Sequence, residues 1–389
     1  MPKSSNSPIR FTILFTLLLT GCGNGIASTS PAPEPAAPQA ATPTISTTNA
    51  QNGAVVVSLT SSTAGSTIFY TLDGSAPTTA SQVYQAPFLV ASALTVNAIA
   101  TASGDASSAV ASQAFTTSIP SGTLVWSDEF ANSGTTNALP GKSTWTYDAG
   151  LGAQCCGNSE QETYCAADSS TPPCNPASPN AFIPPGGGLN VVAQNPSGTT
   201  YTSARLKSQG LFSFKYGRVE AKMMLPESQA MWPAFWALGN NIATIAWPQC
   251  GELDIMEHID GTNPPAYAGG QPLGYDWIAG SVHGGASGST EENGTQQYHP
   301  AGFSAAAWHT YGMIWTKGEI QFYVDSPTNI YATFKSTDPA WSPTPWPFDA
   351  GPQFLLLNLA VGGSWPGNVT PATVFPSTMQ VQYVRIYTP

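Results

Sequence analysis

Beyond about residue 117 the chain has no long run of apolar residues at the 3.6-residue spacing of a helix, while Gly, Pro and aromatic residues recur throughout. That pattern predicts an antiparallel β-sandwich. Residues 44–117 predict a second, smaller all-β sandwich: short runs rich in Val, Thr, Ser and Ala, such as Ala54–Leu59, Thr67–Thr71 and Leu94–Ile99, are separated by turns such as Asp73-Gly74. A chain of 389 residues has room for two to three domains.

Within this β pattern one run concentrates acid. The chain has 22 acidic residues, and three of them, Glu252, Asp254 and Glu257, fall within six positions among Leu253, Ile255 and Met256. With the two-residue period of a strand, Glu252 and Asp254 share one face and Leu253 and Ile255 the other. Strict alternation would put Met256, not Glu257, beside the acids. A β-bulge at Ile255 and Met256 restores Glu257 to that face. Retaining glycoside hydrolysis needs two carboxyls about 5 to 5.5 Å apart, one as nucleophile and one as acid/base. Residues i and i+4 of an unbulged strand lie roughly 13 Å apart from Cα to Cα, so the bulge and the long Glu side chains must close the gap. Asp254, between them, holds the neighbours' pKa values apart, leaving one Glu ionised and the other protonated. A helix-loop-helix calcium loop is a poor alternative, because this run is too apolar; an acidic edge strand remains open.

The residues around the triplet resemble glycoside hydrolase family 16, and within it the laminarinase-like endo-1,3-β-glucanases. The resemblance covers about residues 123–389 and rests on Leu-Val-Trp-Ser-Asp-Glu-Phe (124–130), Thr-Trp-Thr-Tyr-Asp (144–148), Gly-Asn-Ser-Glu (157–160) and Thr-Ser-Ala-Arg-Leu (202–206). It continues through Tyr-Gly-Arg-Val-Glu-Ala-Lys (216–222), Met-Trp-Pro-Ala-Phe-Trp-Ala-Leu-Gly (231–239), the acidic run, Trp-His-Thr-Tyr-Gly (308–312), Leu-Asn-Leu-Ala-Val-Gly-Gly-Ser-Trp-Pro-Gly (357–367) and Tyr-Val-Arg-Ile-Tyr (383–387). The resemblance implies a jelly roll with a concave cleft, Glu252 as nucleophile, Asp254 as assisting acid and Glu257 as acid/base. The two residues between Asp254 and Glu257 resemble the laminarinase and agarase branch. Residues 44–117 are similar to the module at the C-terminus of chitobiases and β-hexosaminidases, and read as a spacer.

A β-glucan binds by stacking its apolar sugar faces on aromatic rings while a few polar groups read its hydroxyls. By the family's pattern Trp232, Trp236, Trp247 and Trp365 line the cleft, joined by Asn158, Glu160, Arg205 and His283, whereas Trp126, Trp145, Trp308 and Trp315 read as core. Two departures from the pattern stand out. Gln382 replaces an Asp that in many relatives binds a structural calcium, which leaves Glu129 as a weak candidate ligand, and no cofactor is required. Gln161-Glu162 and an insertion at 165–183 alter one side of the cleft, where endo or exo action is decided.

Lys3 and Arg10 flank an apolar run, Phe11–Leu19, that is too short to span a bilayer and reads as a signal peptide. Leu19-Thr20-Gly21-Cys22 resembles a bacterial lipobox, with Cys22 lipidated. Residues 23–43, rich in Ser, Ala and Pro, read as a tether, and residues 118–122 as a second linker. The protein is thus expected to be an exported monomer, held at the bacterial cell surface or outer membrane by its lipid. A net charge of −11 gives no basic footprint for nucleic acid and favours a neutral polymer substrate. Export makes disulfides plausible: Cys165 with Cys174 is one candidate bridge, and Cys250 with Cys155 or Cys156 another. No cysteine or histidine spacing resembles a zinc site.

The favoured expectation is a retaining endo-1,3-β-glucanase acting on laminarin-like glucan. The alternatives are a same-family hydrolase of mixed-linkage glucan or agar-type galactan, a transglycosylase, and a non-catalytic glucan-binding surface protein.

Overall fold

The computed structural model describes residues 37–152, 157–260, 274–285, 292–341 and 345–389. Cys22, Cys155 and Cys156 lie outside the described residues. Pro38–Pro389 form one compact unit that is almost entirely β, with a short 3-10 turn at Pro339–Trp341.

Two antiparallel sheets form the larger sandwich. The site-bearing sheet runs, edge to edge, Glu292–Tyr298, Ile278–Gly284, Glu252–Glu257, Met231–Gly239, Gln353–Val361, Arg205–Lys207 and Thr146–Asp148. The second sheet runs Ala181–Phe182, Leu189–Ala193, Ser377–Tyr387, Gly217–Met224, His309–Thr316, Glu319–Val324 and Ile330–Lys335. Ser377–Tyr387 is long enough to pair with Leu189–Ala193 through its first half and with Leu124–Asp128 through its second.

The two-residue period decides what each strand presents. In Gln353–Val361, Leu355, Leu357, Leu359 and Val361 enter the core between the sheets, while Phe354 and Leu356 turn to the other face and pack with Trp236 and Leu238. All nine residues are buried, which is why the run is almost continuously apolar. Met231, Phe235 and Ala237 point inward in the same way, leaving Trp232, Ala234, Trp236 and Leu238 for the cleft side.

The N-terminal module packs a three-stranded sheet (Thr44–Asn49, Val55–Thr60, Phe88–Val90) against a four-stranded one (Gln82–Val83, Thr67–Thr71, Leu94–Thr101, Ala111–Phe115). Its core contains Val57, Leu59, Tyr70, Phe88 and Val96, with Tyr70 stacked on Phe88 at 5.2 Å between centroids. The module begins before residue 44. Ala40 is buried in its core and bonds the Ala106 carbonyl at 2.9 Å, so the last residues assigned to the 23–43 tether are ordered against it. A small side chain gave no apolar signal there.

Nor is the module a free spacer bead. Leu89 N–H donates to Ser213 O and Ser213 N–H to Pro87 O, each at 2.9 Å, while Asn52 Nδ2 donates to Leu124 O at 2.7 Å. Ala54 belongs to the core of the larger sandwich. Apolar burial and backbone pairing therefore fix the module to its neighbour.

Three side chains differ from expectation. Trp308 is 43% exposed, not core; it precedes the strand His309–Thr316, and Phe303 and Ala305 of the same turn take the buried places. Cys250 is a buried free thiol, not half of a bridge. It packs among Ala234, Trp236 and Phe354, where burial, then the charge of Glu252, pushes its pKa up to about 12. Glu129 is committed to Arg385 by two hydrogen bonds, 2.9 and 2.8 Å, so a calcium ion would have to compete with the guanidinium for both of its oxygens. Gln382 is the exposed extra residue where the pairing of Ser377–Tyr387 with Gly217–Met224 slips. These residues do not fit a calcium site. Cys165 and Cys174 are disulfide-bonded.

Candidate active site

The acidic strand carries the bulge that its periodicity requires. Opposite Ile278–Gly284, Glu252 pairs with His283, Asp254 with Ser281 and Glu257 with Ala279, so one extra residue sits between Asp254 and Glu257. The same slip occurs against Met231–Gly239, where Trp236 faces Asp254 but Phe235 faces Met256. Ile255 and Met256 both point into the core, and burying these two apolar side chains stabilises the bulge by roughly 2 kcal/mol each. Glu252, Asp254 and Glu257 consequently line one cleft of about 800 Å³.

Each Glu receives an indole N–H: Trp247 Nε1 donates to Glu252 Oε2 at 2.9 Å, and Trp232 Nε1 to Glu257 Oε1 at 3.0 Å. Asp254, buried between them, has Oδ2 2.9 Å from His283 Nε2. Burial, followed by the charge of Asp254, pushes the pKa of Glu252 up to about 8, with His283, Arg205 and the Trp247 hydrogen bond pulling the other way. The same two causes raise Glu257 well above the carboxylate range, and the charge of Glu252 adds to them. Both Glu side chains therefore hold a proton to higher pH than a free carboxyl does.

All eight residues expected to meet sugar line this cleft: Asn158, Glu160, Arg205, Trp232, Trp236, Trp247, His283 and Trp365. They do so in different ways. Trp365 meets Trp232 edge to face at 5.3 Å and Trp277 at 5.9 Å, forming an aromatic wall beside Glu257. Trp247 is 44% exposed and stands beside Glu252, to which it donates. Trp236 is buried beneath the cleft floor, with Arg205 4.6 Å above its ring, so it supports the floor more than it stacks. Arg205 is held by Asp148 at 3.0 Å.

The sequence reading missed Asn358, although it lies within one of the quoted segments. Its Oδ1 accepts the Trp236 indole N–H at 2.7 Å, and its Nδ2 donates to Tyr164 Oη at 3.3 Å. Tyr164 in turn donates to Glu160 Oε2 at 2.9 Å. A polar residue at an outward position of an otherwise apolar strand was the available signal.

Glu252, Asp254 and His283 also present ligand-type atoms within 4.8 Å of one another. The Trp247 hydrogen bond and the His283–Asp254 pair already engage them. Paired carboxylates, a buried acid and aromatic walls lining one cleft of a β-sandwich define a glycoside hydrolase.

The chain belongs to glycosyl hydrolases family 16, whose family model matches residues 181–385; the chitobiase/β-hexosaminidase C-terminal domain matches residues 46–112. The chain is 36% identical over 277 residues to a β-glucanase of Rhodothermus marinus, covering 68% of this chain and 84% of that protein. It is 32% identical over 282 residues to glucan endo-1,3-β-glucosidase A1 of Niallia circulans, covering 68% of this chain but 37% of that longer protein. The laminarinase catalytic domain of Thermotoga maritima superposes with a TM-score of 0.55 at 32% identity, over 69% of this chain and 98% of that domain.

Proposed function

We propose that the chain is a retaining endo-1,3-β-glucanase in which Glu252 is the nucleophile and Glu257 the acid/base. The observation that carries this reading is the bulged strand, which puts both Glu side chains in one cleft, each under an indole N–H, with Asp254 buried between them. Glu257 donates its proton to the leaving glycosidic oxygen as Glu252 attacks the anomeric carbon. Glu257, now ionised, then takes a proton from the water that releases the glycosyl-enzyme. Asp254, paired with His283, raises the pKa values of both Glu side chains through its charge. Trp365, Trp232 and Trp247 supply stacking faces on either side of the scissile bond.

The preference for 1,3-linkages is supported by the named activities of the Niallia and Thermotoga relatives. Product analysis on laminarin, lichenan and agarose, with Glu257→Ala as control, tests it. Short 1,3-linked oligosaccharides released from laminarin, and absent in the control, support the reading. Cleavage of agarose alone, or of no polymer, overturns it.

The charge and apolar patterning of the first 22 residues support export and anchoring through a lipid on Cys22, and we propose that the anchored protein is a monomer. Loss of membrane association in Cys22→Ser, and the mass of the full chain by light scattering, test the anchor and the monomer.

A further inference from the structure

Beside the catalytic carboxyls lies a second acidic pair that the hydrolysis does not use. Glu162, in the strand Glu162–Tyr164, is fully buried, and Glu160 is 5% exposed at the cleft wall. The two face one point: a Cβ built on Gly152 would stand 2.5 Å from Glu162 Oε1 and 3.1 Å from Glu160 Oε2. Glu162 Oε2 accepts the Val361 N–H at 2.8 Å. Glu160 Oε2 accepts the Tyr164 hydroxyl at 2.9 Å, and Asn158 Nδ2 lies 3.4 Å from Oε1.

Among the described residues, titratable groups around Glu162 are few. Glu160 and Tyr164 lie on its own segment, Tyr201 is opposite it across the parallel pairing, and Arg205 acts more remotely, through Tyr164. The flanking strands Gly150–Leu151 and Gln353–Val361 contribute none. Two buried carboxylates this close cannot both ionise without strong repulsion.

We propose that Glu160 and Glu162 share one proton, carried by Glu162 and donated to Glu160, so that Glu160 meets the substrate as a single oriented carboxylate. Glu162 is thus a positioning residue for sugar binding, acting through Glu160. This rests on the reading that the cleft binds β-glucan. Burial, then the charge of Glu160, pushes the Glu162 pKa up to about 8, and the hydrogen bond to Glu160 acts in the same direction. Above that pH the proton leaves, the two carboxylates repel, and the hold of Tyr164 and Asn158 on Glu160 is disturbed.

The test is the pH dependence of KM and kcat on laminarin for the full chain and for Glu162→Gln, an isostere that still donates an N–H to Glu160. In the wild type KM should rise roughly tenfold or more as pH passes from about 7 to about 9.5, the loss of one charge-assisted hydrogen bond. In Glu162→Gln KM should stay flat while the kcat profile is unchanged. An equal alkaline rise in the variant overturns the dyad.

A second readout needs no substrate and survives failure of the glucanase reading. A carboxyl whose folded pKa is raised loses its stabilising effect as pH climbs from its unfolded value towards about 8. The wild-type melting temperature should therefore fall relative to that of Glu162→Gln across this window and then run parallel to it. In Glu160→Gln the upper edge of the wild-type window should move down, because the neighbouring charge is gone. A pH-independent difference, or an unmoved edge, sinks the proposal.

Discussion

The two sheets treat their outward-facing carboxyls in opposite ways. On the outer face of the second sheet, Glu220 accepts Arg218 at 2.6 Å, Tyr323 at 2.5 Å and Tyr387 at 3.2 Å, with Tyr383 at 3.5 Å. Arg218 itself lies 3.7 Å over the Tyr387 ring. On the site-bearing sheet Glu252 and Glu257 each hold one indole N–H and face further acid. A carboxylate ringed by donors is a structural fixture. One left short of donors, open to a cleft and beside other acids, is held at high free energy where a substrate can relieve it.

The contrast breaks first if activity does not follow it. Glu257→Ala and Glu252→Gln should each lower kcat on laminarin by about a thousandfold or more while the protein still binds glucan and melts no lower than wild type. Glu220→Ala should do the reverse: removing one partner from a buried ionic network costs about 3 kcal/mol, read by denaturant unfolding, with kcat within about twofold at temperatures where the protein stays folded. A thousandfold loss of kcat in Glu220→Ala would erase the distinction.

The pH dependence sharpens it. Folding raises the pKa values of Glu252 and Glu257 above their unfolded values, so the folded state binds more protons than the unfolded chain. Stability should therefore be greatest below about pH 4.5 as far as these groups are concerned, and should fall as pH rises towards about 8 for Glu252. Glu252→Gln should melt higher than wild type above pH 7 and lose that advantage in acid. In activity, both limbs of the bell should lie above the ordinary carboxylate range.

Much of this site could be read from the chain because strand periodicity is a local property. Three acids at positions 252, 254 and 257 require a bulge, and the bulge is there. What escaped the reading depends on contacts distant in sequence. Asn358 matters through Trp236 and Tyr164, 122 and 194 residues away, and Glu162 matters because Gly152 and Val361 close over it. Ala40 joins the module through a bridge to Ala106. Trp308 misled because a large aromatic side chain at a strand entrance is not committed to either face.

A smaller effect tests whether the indoles tune the acids. Trp247→Phe keeps the ring but removes the donor to Glu252. Since that hydrogen bond opposes the rise in the Glu252 pKa, the acid limb of kcat/KM should move to higher pH, by less than about one unit, and activity below the optimum should drop a few fold. A limb shifted to lower pH would mean that the indole favours the protonated acid.

The smallest effect comes from the second sheet's edge, where Glu129 and Arg385 form a two-point pair in the open. The hydrogen bonds from Arg385 hold the Glu129 carboxyl below its usual range, so its stabilising effect is present at neutral pH and lost as acid protonates it. Solvent screening keeps such an exposed pair to about 0.5 kcal/mol. Glu129→Gln should therefore lower stability by that much at pH 7 and by less at pH 3. Added calcium should leave both proteins' melting temperatures unchanged, because Arg385 occupies both carboxylate oxygens and Gln382 brings no charge. A calcium-dependent rise in the wild type that Glu129→Gln abolishes would show that the carboxylate leaves arginine for a cation, and would make this corner of the second sheet as responsive to ligand as the cleft.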